Sequence, residues 1–177
     1  MNFSTLGNLP VSKAAQELKS SRLWDAFTAR QEFQKSPHKQ TKCIPLRGAK
    51  DFMESYNPKA KRGLTKWAYY HPHTVALVNR VLRGMPVKTV GNVLAVALEP
   101  GGWILPHIDL GDYPDHFERF HIVVTSPEGN WFRVRDEFFF PEEGDIFLFN
   151  HRTTHSAGNP NQDAPRIHLI VDATLKE

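Results

Sequence analysis

The second half of the chain is a series of short apolar or alternating segments, and this pattern constrains the fold more than any other feature. The segments cover residues 92–98, 103–109, 119–125, 130–135, 145–150 and 166–172. Turn-forming sequences separate them, among them Glu-Pro-Gly-Gly from residue 99, Ser-Pro-Glu-Gly from residue 126 and Pro-Glu-Glu-Gly from residue 141. Short strands at this spacing predict an all-β sandwich or barrel. Because helical patterns come first and strands afterwards, a repeated βαβ arrangement is not expected.

The first half of the chain is predicted to be helical and irregular. The predicted elements are a helix over residues 12–33 that ends before Ser36-Pro37, a strand over 41–47, a long irregular connection over 48–72 and a helix over 74–82. Connections of that length inside a compact domain often have a function. We therefore predict one domain over residues 1–177, with a helical and irregular N-terminal support over 1–88 and a β core over 89–177.

Composition excludes several classes of protein. A chain of 177 residues, 40% of them hydrophobic and 23% charged, suits one compact domain. Membrane association is not expected, because no segment approaches the roughly 18 apolar residues that span a bilayer. Residues 1–10 lack the basic region and the apolar core of a signal peptide. A single cysteine, Cys43, excludes an internal disulfide and favours a cytoplasmic location.

Charge is distributed unevenly along the chain. Residues 1–66 contain 13 Lys or Arg and 5 Asp or Glu, whereas residues 67–177 contain 9 and 14, so a net +3 divides into +8 and −5. A basic region of this kind can bind a polyanion. The basic residues, however, are scattered singly among apolar positions, as on an ordinary solvated helix face. Nucleic-acid binding is therefore not favoured.

The sequence His107-Ile108-Asp109, with His155 further along the chain, indicates a metal site. Residues i and i+2 of a strand point to the same side, so His107 and Asp109 can converge without strain. Two imidazoles and one carboxylate on one face of an octahedral metal leave the other face open, as in non-haem Fe(II) oxygenases. A His-x-Asp sequence is common by chance, and a surface acid beside a strand histidine is the alternative.

Two further positions indicate an anion near such a metal. Arg166 opens the last predicted strand, and its guanidinium can bind a carboxylate through two parallel hydrogen bonds. Arg119 and His121 also have the i, i+2 spacing, and burying both without partners would be unfavourable. An anionic ligand is one partner for them, and Glu118 or Asp115 is another. A surface strand arginine is the alternative for Arg166.

Residues 92 to 174 resemble the aspartyl/asparaginyl β-hydroxylase-like group of Fe(II)- and 2-oxoglutarate-dependent oxygenases. The sequences that carry the resemblance are EPGGWILPHID, RFHIVV, PEEGDIFLFN and HRTTHSAGN followed by PRIHLIVDA. The resemblance implies a mainly β, double-stranded β-helix (jelly-roll or cupin-like) fold with N-terminal helices packed on it. It also implies Fe(II) as the metal, 2-oxoglutarate as the co-substrate and O₂ as the oxidant.

The resemblance also implies roles for individual residues. His107 and His155 correspond to the iron-binding histidines, and Asp109 completes the three ligands. Arg119 and His121 correspond to the pair that holds the near end of 2-oxoglutarate. Arg166 corresponds to the arginine that binds its C5 carboxylate.

Two departures from the family pattern leave the substrate open. Some animal members lack an acidic ligand after the first histidine, so Asp109 makes this chain more similar to bacterial members, including free L-proline hydroxylases. The peptide-hydroxylating branch has a small polar residue near the position of Val96.

Substrate contacts are assigned to the irregular connection and to the segment before His155. The candidates are Trp67, Tyr70 and His151, although aromatic residues such as the first two are more often packing residues. His151 is expected at the rim of the pocket rather than on the metal. His168 alternates with apolar neighbours and is expected to point away from the core.

Three kinds of function follow from these expectations. The first is a dioxygenase that hydroxylates an amino acid side chain, most simply an aspartyl or asparaginyl residue in a peptide or protein, with a free proline-type amino acid as the alternative. The second is a non-catalytic cupin-like module that binds a metal or a small acid. The third is a nucleic-acid demethylase, which the absence of a second Arg in RIHLIVDATLKE does not favour.

Overall fold

A computed structural model describes residues 2–32, 36–51 and 53–176. Over these residues the chain forms a seven-stranded and a four-stranded sheet, both antiparallel. The strands are β1 Phe3–Asn8, β2 Thr41–Ala49, β3 Arg62–Leu64, β4 Val87–Leu98, β5 Trp103–His107, β6 Glu118–Thr125, β7 Trp131–Val134, β8 Glu137–Phe139, β9 Asp145–Phe149, β10 His155–Gly158 and β11 Arg166–Leu175. The helices are α1 Ser12–Lys19, α2 Ala29–Glu32, α3 Pro72–Arg83 and α4 Asp112–His116, with 3₁₀ turns at Met53–Tyr56 and Lys66–Tyr70.

The large sheet has the order β1-β9-β6-β11-β4-β2-β3, and the small sheet has the order β5-β10-β7-β8. A cluster of buried side chains from both sheets, including Val123, Phe132 and Phe147, shows that the sheets pack face to face. The mainly β, double-stranded β-helix architecture is therefore confirmed.

The other face of the large sheet packs against helices. Leu18 of α1 and Leu77 of α3 belong to the same buried cluster as Phe120 and Ile122 of β6. Successive side chains of a strand point to opposite faces, so alternate positions of β6 and β11 face the helices and the others face the small sheet. Both faces of these central strands are covered, which explains why β11 is buried from Arg166 to Ala173.

The first helix is shorter than the sequence pattern predicts. It ends at Lys19 rather than near residue 33, and residues 33–35 lie outside the described part of the chain. The hydroxyl of Ser20 donates hydrogen bonds to the carbonyl oxygens of Gln16 and Glu17, and the hydroxyl of Ser21 accepts one from the Leu23 amide. Serine side chains that satisfy backbone groups in this way end a helix.

The N-terminal half also contributes strands, which corrects the expectation of a helical and irregular support. β1 pairs with β9 at one edge of the large sheet, and β2 pairs with β4 near the other edge. The predicted strand over 41–47 and the predicted helix over 74–82 are both present, as β2 and α3. No helix in the described part of the chain is long and apolar enough to cross a membrane.

Candidate metal centre

The small sheet brings the two predicted histidine ligands together. His107 is the last residue of β5 and His155 is the first residue of β10, and the two residues are directly opposite in the antiparallel pair. Their ring centroids are 4.1 Å apart. Asp109 follows β5 by two residues, and the potential ligand atoms of all three residues lie within 4.8 Å of one another. The predicted triad is thus assembled by strand register.

Both imidazoles are oriented to offer Nε2 to a metal. Nδ1 of His107 donates to the carbonyl oxygen of Leu105 (2.8 Å), and Nδ1 of His155 donates to that of Thr153 (2.9 Å). A carbonyl oxygen only accepts, so the proton is on Nδ1 and the lone pair is on Nε2. Burial lowers the pKa of His107, and burial together with His107 lowers the pKa of His155 to about 4. Both rings are therefore neutral near pH 7, which is the metal-binding form.

The third ligand, Asp109, is held as a carboxylate by a neighbouring cation. Burial alone would raise the pKa of Asp109, but the guanidinium of Arg119 together with His151, His155 and His107 outweighs it, and the pKa is far below its usual range. Nη1 of Arg119 donates to Oδ2 of Asp109 at 2.5 Å. His151 lies behind this carboxylate, with Nδ1 3.6 Å from the same oxygen. With 1% of its surface exposed, His151 is not at the pocket rim, and that expectation was wrong.

Arg119 also binds a second carboxylate, that of Asp172 on β11. Its Nε donates to Oδ1 at 2.8 Å and its Nη2 donates to Oδ2 at 3.2 Å. The hydroxyl of Tyr113 donates to the same Oδ2 at 2.9 Å and accepts from the Asn92 amide. The chain avoids a side chain at Gly91, where a Cβ would lie 2.7 Å from the Tyr113 oxygen. We call Arg119, Asp172 and Tyr113 the carboxylate clamp.

The clamp gives Arg119 two carboxylate partners within the protein itself. The structure places its guanidinium between two carboxylates, and its contact with 2-oxoglutarate stays a prediction. Sequence reasoning missed Asp172 and Tyr113. Alternation along RIHLIVDA does put Asp172 on the same face as Arg166, and that signal was available.

On the inner side of the metal site lies a buried group that we call the inner cluster, made of Arg166, His121, His168 and Phe132. Arg166 is 2% exposed, and its Nε and Nη1 have no hydrogen-bond partner among the described residues. Its guanidinium carbon lies 6.0 Å from the centre of the Phe132 ring, and the same ring stacks on His155 at 6.3 Å. Burial lowers the pKa of Arg166 to about 9.

The two histidines of the inner cluster are bonded to each other. Nδ1 of His121 lies 3.1 Å from Nδ1 of His168, and Nε2 of His168 has no partner among the described residues. Burial lowers the pKa of both rings well below the usual value. His168 is 0% exposed, so the expectation that it points away from the core was wrong. The reason is that β11 is a central strand whose two faces are both covered, so it has no solvent face.

On the other side of the metal site lies a cavity of about 820 Å³, which we call the outer cavity. His107 and Asp109 line it, whereas His155 and Arg166 do not. The remaining walls include Cys43, Pro45 and Arg47 of β2, Arg30 of α2, His38 and Trp67, and all three clamp residues (Tyr113, Arg119 and Asp172). The metal site therefore lies between a closed cluster and an open cavity.

The predicted substrate residues divide between these surroundings. Trp67 lines the outer cavity and packs on Phe27 with ring centroids 5.9 Å apart. Tyr70 is 71% exposed and is not part of the cavity wall, so its position does not favour a substrate contact. A substrate role for Trp67 stays a prediction, as does any role for His151 beyond its contact with Asp109.

The chain is similar to known proteins in sequence pattern and in fold. The family model described as aspartyl/asparaginyl beta-hydroxylase matches residues 10–175. No curated protein matches the sequence significantly.

Solved structures share the fold at low sequence identity. A viral collagen prolyl hydroxylase from Paramecium bursaria Chlorella virus-1, in a 2-oxoglutarate complex, matches with a TM-score of 0.57, 10% identity and coverage of 98% of this chain and 97% of the other. A Trichoplax adhaerens prolyl hydroxylase bound to a hypoxia inducible factor peptide matches with a TM-score of 0.60 and 10% identity, and the match covers 97% of this chain and 83% of the other. A Pseudomonas putida prolyl-4-hydroxylase matches with a TM-score of 0.54 and 11% identity, and the match covers 99% of this chain and 94% of the other.

Proposed function

The chain belongs to the aspartyl/asparaginyl β-hydroxylase family of 2-oxoglutarate- and Fe(II)-dependent dioxygenases, and from this premise we propose that it hydroxylates an aspartyl or asparaginyl side chain of a peptide or protein. The observation that carries the proposal is the complete triad of His107, Asp109 and His155 beside a cavity large enough for a peptide segment.

The residues present fit the cofactors of the family. His107, Asp109 and His155 would hold Fe(II), since two neutral imidazoles and one carboxylate are the donors that such a metal takes. Arg166 would bind the far carboxylate of 2-oxoglutarate. A buried guanidinium with two unpaired donor nitrogens is unfavourable unless an anion joins it, and a dicarboxylate can supply that charge. When bound, iron supplies the oxidation, in which a C–H bond becomes C–OH while 2-oxoglutarate and O₂ yield succinate and CO₂.

The protein's own side chains prepare this chemistry rather than carry it out. Nδ1–H bonds to backbone carbonyl oxygens orient His107 and His155, and the carboxylate clamp keeps Asp109 ionised. Phe132 and Phe149 pack against His155 and exclude water from the inner side. Outer partners of this kind tune metal affinity, and loss of one typically lowers it by about 10–100-fold.

The size of the outer cavity supports a peptide substrate. About 820 Å³ lies near the upper end of the roughly 300–1,000 Å³ that holds drug-sized ligands, and a free amino acid would fill only part of it. Free-proline hydroxylation is the second candidate, and the retained Asp109 favours it. Val96 also favours it: this apolar residue is opposite His168 in the β4–β11 pair, where the peptide-hydroxylating branch has a polar one. We extend the proposal to a cytoplasmic location, which the single, buried thiol of Cys43 supports.

The test is turnover of 2-oxoglutarate by the Fe(II)-loaded protein. We expect succinate to form slowly without substrate and faster with a substrate peptide that gains one oxygen atom by mass spectrometry. Peptides that contain Asp or Asn, together with free L-proline and L-aspartate, form the panel. Absence of succinate under every condition, with no difference between the native protein and His107→Ala, would overturn the proposal. Stimulation by free L-proline alone would select the second candidate.

A further inference from the structure

The outer cavity contains an arginine that no carboxylate neutralises. Arg30 of α2 lines this cavity, and its Nη2 lies 3.2 and 3.3 Å from the two ring nitrogens of His38. Among the described residues, no Asp or Glu oxygen lies within 4.0 Å of the Arg30 guanidinium. The imidazole of His38 carries no negative charge, so its contact with Arg30 cannot neutralise the guanidinium. The contact therefore orients the guanidinium and leaves its charge unpaired.

A second arginine reaches the same cavity from β2. Arg47 lines the cavity together with Cys43 and Pro45, and a register shift in the β2–β4 pair lies between Pro45 and Arg47. Nε of Arg47 is buried without a hydrogen-bond partner among the described residues, and its Nη2 donates to the Arg62 carbonyl oxygen at 3.2 Å. That carbonyl oxygen carries no net charge. Arg47 thus keeps both its positive charge and an unused donor.

The acids of the cavity are already engaged elsewhere. Asp109 is a ligand of the metal site and is bonded to Arg119, and Asp172 is bonded to Arg119 and Tyr113. The thiol of Cys43, beside Arg30, is neutral because burial raises its pKa to about 11. Arg119 is shared between the two acids, so Arg30 and Arg47, with the exposed Lys50 at the same cavity, leave an excess of positive charge.

This charge lies close to the metal site. The ring of His38, which orients Arg30, is 4.8 Å from the ring of His107. Arg30 is consequently one imidazole ring away from a metal ligand. A substrate group bound by Arg30 would place its neighbouring carbon atoms next to the metal, within the same cavity.

We propose that Arg30 and Arg47 form an anion subsite of the outer cavity, which binds a carboxylate of the substrate. The inference rests on the proposed function and narrows its substrate to molecules that carry an acid group near the carbon to be hydroxylated. A guanidinium binds a carboxylate bidentately, and low exposure strengthens the pair. The carboxylate can belong to an acidic or C-terminal residue of a peptide or to a free amino acid.

The experiment measures binding rather than turnover. The Fe(II)- and 2-oxoglutarate-loaded protein, kept free of oxygen, is titrated with an eight-residue peptide containing Asp and Glu and with its Asn and Gln counterpart, whose C-terminus is amidated so that it carries no carboxylate. Free L-aspartate and L-proline form the second arm and identify the source of the carboxylate. The variants are Arg30→Met and Arg47→Met, and Arg133→Met serves as the matched control because Arg133 is a half-exposed arginine of β7.

We expect the native protein to bind at least one carboxylate probe more tightly than the amide peptide. Arg30→Met should weaken that binding by about 30-fold or more, the range for removing one partner of a buried charge pair, and Arg47→Met by less. Arg30→Lys should restore part of the affinity, which separates charge from packing. Arg133→Met should bind every probe as the native protein does.

Three results would overturn the subsite. One is a native protein that binds the amide peptide as tightly as every carboxylate probe. Another is an Arg30→Met protein with unchanged affinity for the carboxylate. The third is an equal loss of affinity for acidic and amide peptides, which would indicate general damage. Succinate formation by the native protein is measured in parallel, so failure of the dioxygenase proposal is distinguished from failure of the subsite.

Discussion

The inner cluster and the outer cavity flank the same metal site, yet they are built differently. The inner cluster comes from central strands of the β core, and Arg166 within it is 2% exposed. The outer cavity encloses about 820 Å³, and much of its wall comes from residues 27–67. Both contain arginine nitrogens without a carboxylate partner, so each side is suited to an anion. Under the proposed function the closed side binds one small acid, whereas the open side has room for a larger molecule.

The difference between the two sides corresponds to two tasks, binding of the co-substrate and recognition of the substrate. A co-substrate that never changes can be held by side chains of rigid strands, whose positions follow from register. A substrate that differs between enzymes is better recognised by irregular segments, because these segments tolerate sequence change without loss of the fold. The metal triad belongs to both sides, since His107 lines the outer cavity and His155 contacts Phe132 of the inner cluster.

Loss of a metal ligand should affect both sides together and have the largest effect. We expect His107→Ala and His155→Ala each to reduce Fe(II) affinity by more than the roughly 100-fold that loss of an outer partner can cause, and to abolish succinate formation. Metal titration and turnover of 2-oxoglutarate measure the two effects. His73→Ala, which removes an exposed imidazole, is the control. Retention of iron by His155→Ala would show that His155 is not a ligand.

Changing Arg166 should affect the inner side alone. Arg166→Met is expected to weaken 2-oxoglutarate binding by about 30-fold or more, because one partner of a buried charge pair is lost. In the absence of 2-oxoglutarate the same change should stabilise the protein by about 1–3 kcal/mol, since it removes a buried charge with unsatisfied donors. Thermal unfolding with and without 2-oxoglutarate and Mn(II) measures both effects.

Arg133→Met is the control for this prediction, because its guanidinium is half-exposed and pairs with Asp136. Arg133→Met should change neither the affinity for 2-oxoglutarate nor the stability of the protein without it. If Arg166→Met bound 2-oxoglutarate as tightly as the native protein, the inner cluster would not be the co-substrate site and the contrast between the two sides would fail.

The carboxylate clamp should have a smaller effect, through the position of Asp109. Asp172→Asn removes a charge that holds Arg119 at 2.8 Å, so Arg119 is free to compete with the metal for Asp109. We expect Fe(II) affinity to fall by about 10–100-fold, the range for outer partners of metal ligands. Asp136→Asn, at an exposed acid, is the control. Equal iron affinity in Asp172→Asn and the native protein would limit the clamp to a structural role.

Local spacing was enough to predict the strands around the metal site and the convergence of His107 and Asp109, whereas the choice of His155 as the third ligand came from the family resemblance. His107 and Asp109 are two residues apart, and the segments over 119–125, 145–150 and 166–172 became β6, β9 and β11. These patterns are visible in sequence because one strand alternates over a few residues and needs no partner to do so.

The outer cavity could not be predicted in the same way. Arg30 and Arg47 are single basic residues among apolar ones, which is also the pattern of a solvated surface. Only the pairing of β2 with β4 and the irregular path after α1 bring them to one cavity. The apolar spacing of residues 20–28 continued the pattern of α1, yet Leu23 and Trp24 pack on the core without a helix. Tertiary packing, rather than local sequence pattern, determined both the position of the two arginines and the end of α1.

The neutral histidines of the inner cluster give the smallest predicted effect, and it depends on pH. Because burial lowers the pKa of His121 and His168, the unfolded chain binds more protons than the folded one once the pH falls below about 6.5. The free energy of unfolding of the metal-free protein should therefore decrease from pH 7 to pH 5, by at most about 1.4 kcal/mol per pH unit for each ring.

His168→Leu should make this decrease shallower, although it removes a partner of His121. Urea unfolding at several pH values measures the slope, with His73→Leu as the exposed control. A slope that His168→Leu leaves unchanged would mean that His168 is protonated in the folded protein, and the inner cluster would then carry a second positive charge beside that of Arg166.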